Sequence, residues 1–189
     1  MTDVAQRIRI ALASSDDIPR QHVREWIEHS DSVAVDALLY ELTRDAWNRI
    51  QPALEQDEAC ALIQRYLLRC IREDPTDGPA MRRYEAAAAL EAWFDHLAER
   101  ADTYPIAQQV AAAVTDLFVD GDAPTRAAIE TGFLEHVLEQ RSLRSFFAHW
   151  ARDERLQEAW RQALAWGDAH PNFTKGLREQ LRPFSAGDE

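Results

Sequence analysis

The chain has 189 residues, 46% hydrophobic and 29% charged, which is the composition of an ordinary globular protein and excludes a disordered or fibrous chain. Its net charge of −12 argues against binding nucleic acid, which is recognised through basic stripes that displace phosphate counterions. The longest apolar runs, such as residues 110–114, fall far short of the roughly 20 residues that cross a bilayer, so no membrane span is expected.

Taken in chain order, apolar residues recur at three- and four-residue spacing nearly throughout, strand-like alternation is absent, and about nine to ten helices are predicted. The first covers residues 4–13 and the second 19–29, with Asp17 as N-cap and Pro19 in its first turn. Asp31 or Ser32 is placed to cap a third over 33–50, which carries Val35, Leu38, Leu39, Leu42, Ala46 and Ile50 at core spacing. A fourth covers 54–73. There Cys60 and Cys70, the only cysteines, stand roughly 15 Å apart along one helix axis and cannot pair.

A loop over residues 74–79 precedes a long helix over 81–101, which Tyr104-Pro105 ends. The next begins near Ile106 and stops at the turn 119–124, where Asp122 and Pro124 suit the start of a helix running to residue 140. Shorter helices follow over 143–151, 153–166 and 173–182. The whole reads as one all-α domain over residues 1–184 with a frayed tail over 185–189. The N-terminal segment lacks the apolar stretch of a secretion signal, and with the scarce cysteines this points to the cytoplasm.

A shift of forty residues lays WFDHLAER, residues 93–100, over FLEHVLEQ, residues 133–140, pairing His96 with His136 and Glu99 with Glu139. A two-helix unit near this period is the signature of HEAT-like arrays of antiparallel helix pairs; the competing architecture is an irregular helical bundle.

Motifs for chemistry are missing. No His has Glu three residues before it, as di-iron bundles require, and H-E-x-x-H, C-x-x-C, phosphate-cradling glycine loops and the G-x-S-x-G elbow do not occur. No cofactor is therefore expected. The constellation closest to an active site is the pair of acid–His dipeptides at Asp95-His96 and Glu135-His136, although neighbours on a helix point about 100° apart and do not share a face. The run FFAHW, residues 146–150, followed by Trp160 and Trp166, is dense enough in aromatics to leave a patch for a partner.

Charge is the most informative feature. Residues 84–140 hold eleven acids against Arg100 and Arg126, and so carry −9 of the total −12. Acids interleaved with alanines make a low negative surface that steers a basic partner. Glu85, Asp95, Glu99, Asp116, Asp120, Glu130, Glu135 and Glu139 are the candidate partner-binding residues.

The stretches VDGDAPTRAAIETGFLEHVLEQ and QALAWGDAHPNF resemble small all-helical bacterial proteins of unknown function, some similar to immunity proteins of toxin systems. The resemblance spans roughly residues 105–170 and brings no catalytic residues with it. The clustered acidity on a helical scaffold without catalytic motifs points to an immunity-type protein that masks a basic partner, such as a nuclease toxin, by occupying it. Two alternatives come from other classes: a metal-dependent or other enzyme centred on His96 and His136, and a helical scaffold or regulatory subunit that self-associates through its C-terminal aromatics.

Overall fold

The apolar spacing is realised as helix along nearly the whole chain. In the computed structural model, residues 3–174 and 176 are described. The protein is 75% helical, with nine α-helices and almost no strand among those residues. The helices are α1 (Val4–Ala13), α2 (Arg20–Glu28), α3 (Val33–Asp45), α4 (Gln56–Glu73), α5 (Arg83–Ala98), α6 (Tyr104–Asp120), α7 (Ala123–Ile129), α8 (Glu135–Leu138) and α9 (Gln157–Ala169). The expected helix over 173–182 is described only at Phe173, Thr174 and Gly176, which are helical; its remainder and the tail 185–189 lie outside the described residues. No described helix is long and apolar enough to cross a membrane.

Where length and composition read as one domain over 1–184, the chain divides into two compact units, Met1–Leu90 and Glu91–Glu189, the division falling inside α5. In the first unit, α1, α2, α3 and α4 enclose a cluster that includes Ile8, Val23, Trp26, Leu39, Leu42, Ile50 and Leu62. Ser32, not Asp31, caps α3, its Oγ accepting from the Val35 N–H at 3.4 Å. Asp17 does not cap α2, whose N-cap is Pro19.

The third helix stops at Asp45, five residues before its expected end at Ile50. A short 3-10 turn, Trp47–Arg49, redirects the chain so that β2 (Ile50–Gln51) pairs in parallel with β1 (Ile18–Pro19). Arg49 fastens this corner by donating to the carbonyls of Ala11 at 2.7 Å and Asp16 at 2.9 Å. Cys60 and Cys70 are both free thiols on α4.

In the second unit, Asp122 caps α7 by accepting from the Thr125 N–H at 2.8 Å, with Pro124 in the first turn. The predicted helix to residue 140 is continuous but changes type. A π turn, Glu130–Leu134, joins α7 to α8, and the Glu135 N–H donates to the carbonyl five residues back at Glu130. The wider turn lets Ile129, Phe133, Leu134, Val137 and Leu138 all reach the interior. The segment expected as a short α-helix over 143–151 is a 3-10 helix, Arg141–Arg152. Arg144 anchors it through the Leu138 carbonyl at 2.8 Å and Asp168 at 2.8 Å.

The crossing of α9 over the end of α8 is close at the backbone. A Cβ at Gly167 would stand 2.5 Å from the Leu138 carbonyl oxygen and 2.8 Å from the Glu139 nitrogen, nearer than real side chains approach. Only glycine allows this contact, and it brings Trp166 beside Glu139.

Candidate functional site

Helix α6 buries Ile106, Ala107, Val110, Ala111, Val114, Leu117 and Phe118, leaving an exposed ridge of Tyr104, Gln108, Ala112, Asp116 and Asp120 at four-residue spacing. Beside that ridge lies the 3-10 helix Arg141–Arg152, and its three-residue turn decides what it presents. Residues three apart eclipse, so Phe147 and Trp150 form one fully buried column. Leu143, Phe146 and His149 form a second column that runs from the interior to the surface, and Ser142, Ser145 and Ala148 form an exposed third.

Between α6 and this helix is a groove of about 470 Å³ lined by Tyr104, Gln108, Thr115, Asp116, Ser145, Phe146 and His149, among others. One end is aromatic. The Phe146 ring lies 4.9 Å from Tyr104 and 5.1 Å from Phe94, centroid to centroid, which fixes it against the wall. The other end is acidic at Asp116, with Asp120 one turn further on.

The groove holds Thr115, Ser145 and His149, yet Thr115 is not poised as a nucleophile. Its hydroxyl donates to the Ala111 carbonyl at 2.9 Å and accepts from Trp150 Nε1 at 2.9 Å, so its contact with His149 Nε2 at 3.5 Å is the weakest of the three. The arrangement suits recognition: an aromatic anchor, unsaturated polar groups and a carboxylate end.

The eight acids selected from the sequence are not equivalent. Asp116 and Asp120 are exposed on the α6 ridge, and Glu99 is exposed just beyond the end of α5. Glu85 is exposed in the first unit, where its Oε2 accepts from the Arg82 N–H at 2.9 Å and closes the start of α5. Glu130 and Glu135 are half-buried, and burial pushes both carboxyl groups above their ordinary range, aided at Glu130 by Glu158. Asp95 and Glu139 are corrections to the proposed surface: they are 8% and 2% exposed, turned inward on helices whose neighbours cover them, and cannot meet a partner directly.

Glu139 has a structural task. It accepts from His136 Nδ1 at 2.9 Å, from the Thr174 N–H at 2.7 Å and hydroxyl at 2.9 Å, and from Trp166 Nε1 at 3.4 Å. The carboxylate thus latches the chain after α9 onto the end of α8. Burial pushes its pKa up, but the donors at His136, Thr174 and Trp166 outweigh burial and hold it below its ordinary value of 4.5. Because the folded-state pKa is depressed, the latch contributes fully above about pH 4.5 and is lost as the pH falls through the folded value. Glu130 and Glu135, with raised values, act in the opposite sense. An acid titration followed by the Thr174 amide resonance should show release below pH 4.5, with Glu139→Gln already released at neutral pH; unchanged resonances across that range would refute the latch.

The two histidines of the enzyme alternative differ in setting. His96 is exposed, whereas His136 is half-buried with Nδ1 also 2.9 Å from Thr174 Oγ1. Among the described residues, no group of three or more His, Cys, Asp or Glu side chains is arranged to hold a metal ion. The forty-residue match likewise stops at the acids, since Glu99 is exposed and Glu139 buried, and the second segment alone opens on a π turn. Neither thiol is activated as a nucleophile: burial, and then Asp57, raises the pKa of the partly exposed Cys60, and burial raises that of the sealed Cys70 to about 11.

Sequence reasoning selected Asp116, Asp120 and the FFAHW run but missed Tyr104, which reads as a helix terminator before Pro105. The four-residue spacing of Tyr104, Gln108, Ala112, Asp116 and Asp120 carries that signal. Compared with known proteins, the chain matches no family model, no curated protein and no solved structure.

Proposed function

We propose that the protein is a non-enzymatic acidic binding module that meets a basic protein partner at the α6 ridge and its groove. It acts by occupancy, as an immunity-type inhibitor masking a toxin would. The observation that carries this reading is the placement of Asp116 and Asp120. Both are exposed one turn apart, and neither carboxylate is engaged in an ion pair among the described residues. Asp120 lies within electrostatic reach of Arg155, but that guanidinium is already held by both oxygens of Asp153, at 3.3 and 3.1 Å. Tyr104 and Phe146 supply apolar area beside the charges, as interface anchors do.

The ridge is exposed, so reversing its charges should leave stability within about 0.5 kcal/mol. The test compares wild type with Asp116→Lys/Asp120→Lys as bait in lysate of the producing organism, at low and high salt. A basic protein retained by wild type, weakened by salt and associating about tenfold more slowly with the double variant is the expected result. Equal retention by both baits would overturn the proposal.

A further inference from the structure

The first unit contains a second concave surface, chemically unlike the acidic ridge. A groove of about 540 Å³ runs between the C-terminal half of α3, the turn Trp47–Arg49 and the first half of α4, with walls formed by Tyr40, Trp47, Leu54, Ala59, Cys60 and Ile63. This volume lies within the roughly 300–1,000 Å³ of sites that take small molecules. Trp47 is 37% exposed at its edge, a large apolar surface left in water. The opposite aromatic, Tyr40, is fixed by stacking on Tyr66 at 4.7 Å, and the buried Tyr66 is itself held by the Met81 N–H at 3.0 Å. The aromatic wall is therefore rigid before any ligand arrives.

The charge state of the lining narrows what it can hold. Its one ionised side chain, Arg44, is bidentate to Asp45, with contacts of 2.8 and 2.9 Å, so it offers no net charge to a ligand. Thr43 donates its hydroxyl to the Tyr40 carbonyl at 2.8 Å. Gln56 and the Cys60 thiol are neutral, the latter because burial and Asp57 disfavour its thiolate. Left over are the indole N–H of Trp47, the phenol of Tyr40 and the Gln56 amide, which make no side-chain hydrogen bond to another described residue. Such a surface rejects ions, which would lose hydration without gaining a counter-charge, and accepts flat apolar molecules.

We propose that this groove binds an uncharged, planar aromatic small molecule bearing a carbonyl-type acceptor. The rings stack and pack against Tyr40, Trp47 and Ile63, and the acceptor receives a hydrogen bond from the indole N–H or the phenol O–H. The inference rests on the first unit alone and is independent of the basic-partner reading.

Nile red, a flat, neutral dye with one ring carbonyl, is a direct probe. Added to the wild-type full chain, it should give a saturable one-to-one fluorescence rise, and saturating dye should slow alkylation of Cys60 by iodoacetamide about fivefold. Cys70, at 0% exposure, serves as the unreactive internal reference. An Ile63→Glu variant, which places a charge in the groove, should weaken dye binding at least about tenfold. The Cys60 protection is read on the unmodified protein, so the test does not depend on that variant folding. Failure of the dye signal to saturate, or an unchanged Cys60 rate, would overturn the site. Equal affinity for the anionic dye anilinonaphthalene sulfonate would overturn the uncharged class.

Discussion

Replacing Trp150 by Ala is expected to destabilise the second unit by about 4 kcal/mol. The side chain is 0% exposed, lies 4.9 Å from Phe118 and 5.7 Å from Phe147 by ring centroid, and donates Nε1–H to Thr115 at 2.9 Å. Removing it leaves a cavity where α6 meets the 3-10 helix, because surrounding aromatics relax only in part. The hydrogen bond is a minor share of the loss. Trp150→Phe fills most of the volume and forfeits that bond, so it should cost about 1 kcal/mol. Urea unfolding of both variants measures the difference, and a loss below about 1 kcal/mol for Trp150→Ala would show that the groove wall is not built on this residue.

Asp36→Ala is expected to cost the first unit about 3 kcal/mol. Asp36 is 0% exposed on α3, yet its carboxyl oxygens are fully satisfied: Ser30 donates to it at 2.7 Å, Arg65 at 2.6 Å and Arg69 at 3.1 Å. The same arginines donate onward to the carbonyls of Ile27 at 3.2 Å and Asp31 at 2.7 Å, so one carboxylate ties α4 to α3, to the last turn of α2 and to the turn after it. Losing it leaves Arg65 without a carboxylate partner among the described residues, while Arg69 keeps Glu73 at 2.7 Å. Their side chains are 36% and 24% exposed, so water recovers part of the deficit, which is why the lower end of the buried-pair range is expected. The buried geometry also makes the loss nearly independent of salt. Stability of wild type and variant at low and at high ionic strength tests both points; a loss that vanishes at high salt would mean the hub is a surface pair.

The helices were largely legible because their signals are local. Apolar spacing located α1 at residues 4–13 without error, and Ser32 and Asp122 act as caps where an N-cap preference places them. The misjudged boundaries share one cause, packing between residues distant in sequence. The apolar register of Ala46 and Ile50 predicts a third helix reaching Ile50, but Ile50 is buried through the pairing of Ile18–Pro19 with Ile50–Gln51. The aromatic run FFAHW suggested an exposed patch. Its division into buried Phe147 and Trp150, groove-lining Phe146 and exposed His149 follows from a 3-10 turn that helical periodicity does not announce.

The candidate site was legible to a lesser degree for the same reason. An acidic residue looks alike on an exposed ridge and in a sealed network, so Asp116 and Glu139 carried equal weight in the sequence. What decides between them is the company that the fold supplies: Trp166 and Thr174, 27 and 35 positions beyond Glu139, close over it, and nothing described pairs with Asp116. The partners of Asp36 stand 29 and 33 positions away on α4 and are equally invisible to local pattern. By itself the sequence determined the all-helical class, most helix starts, the free cysteines and the acidic balance, because each follows from composition or from contacts within a few residues. Only the tertiary structure decided which carboxylates face water and where the grooves lie, because burial and ion pairing depend on side chains that meet only after the chain has folded.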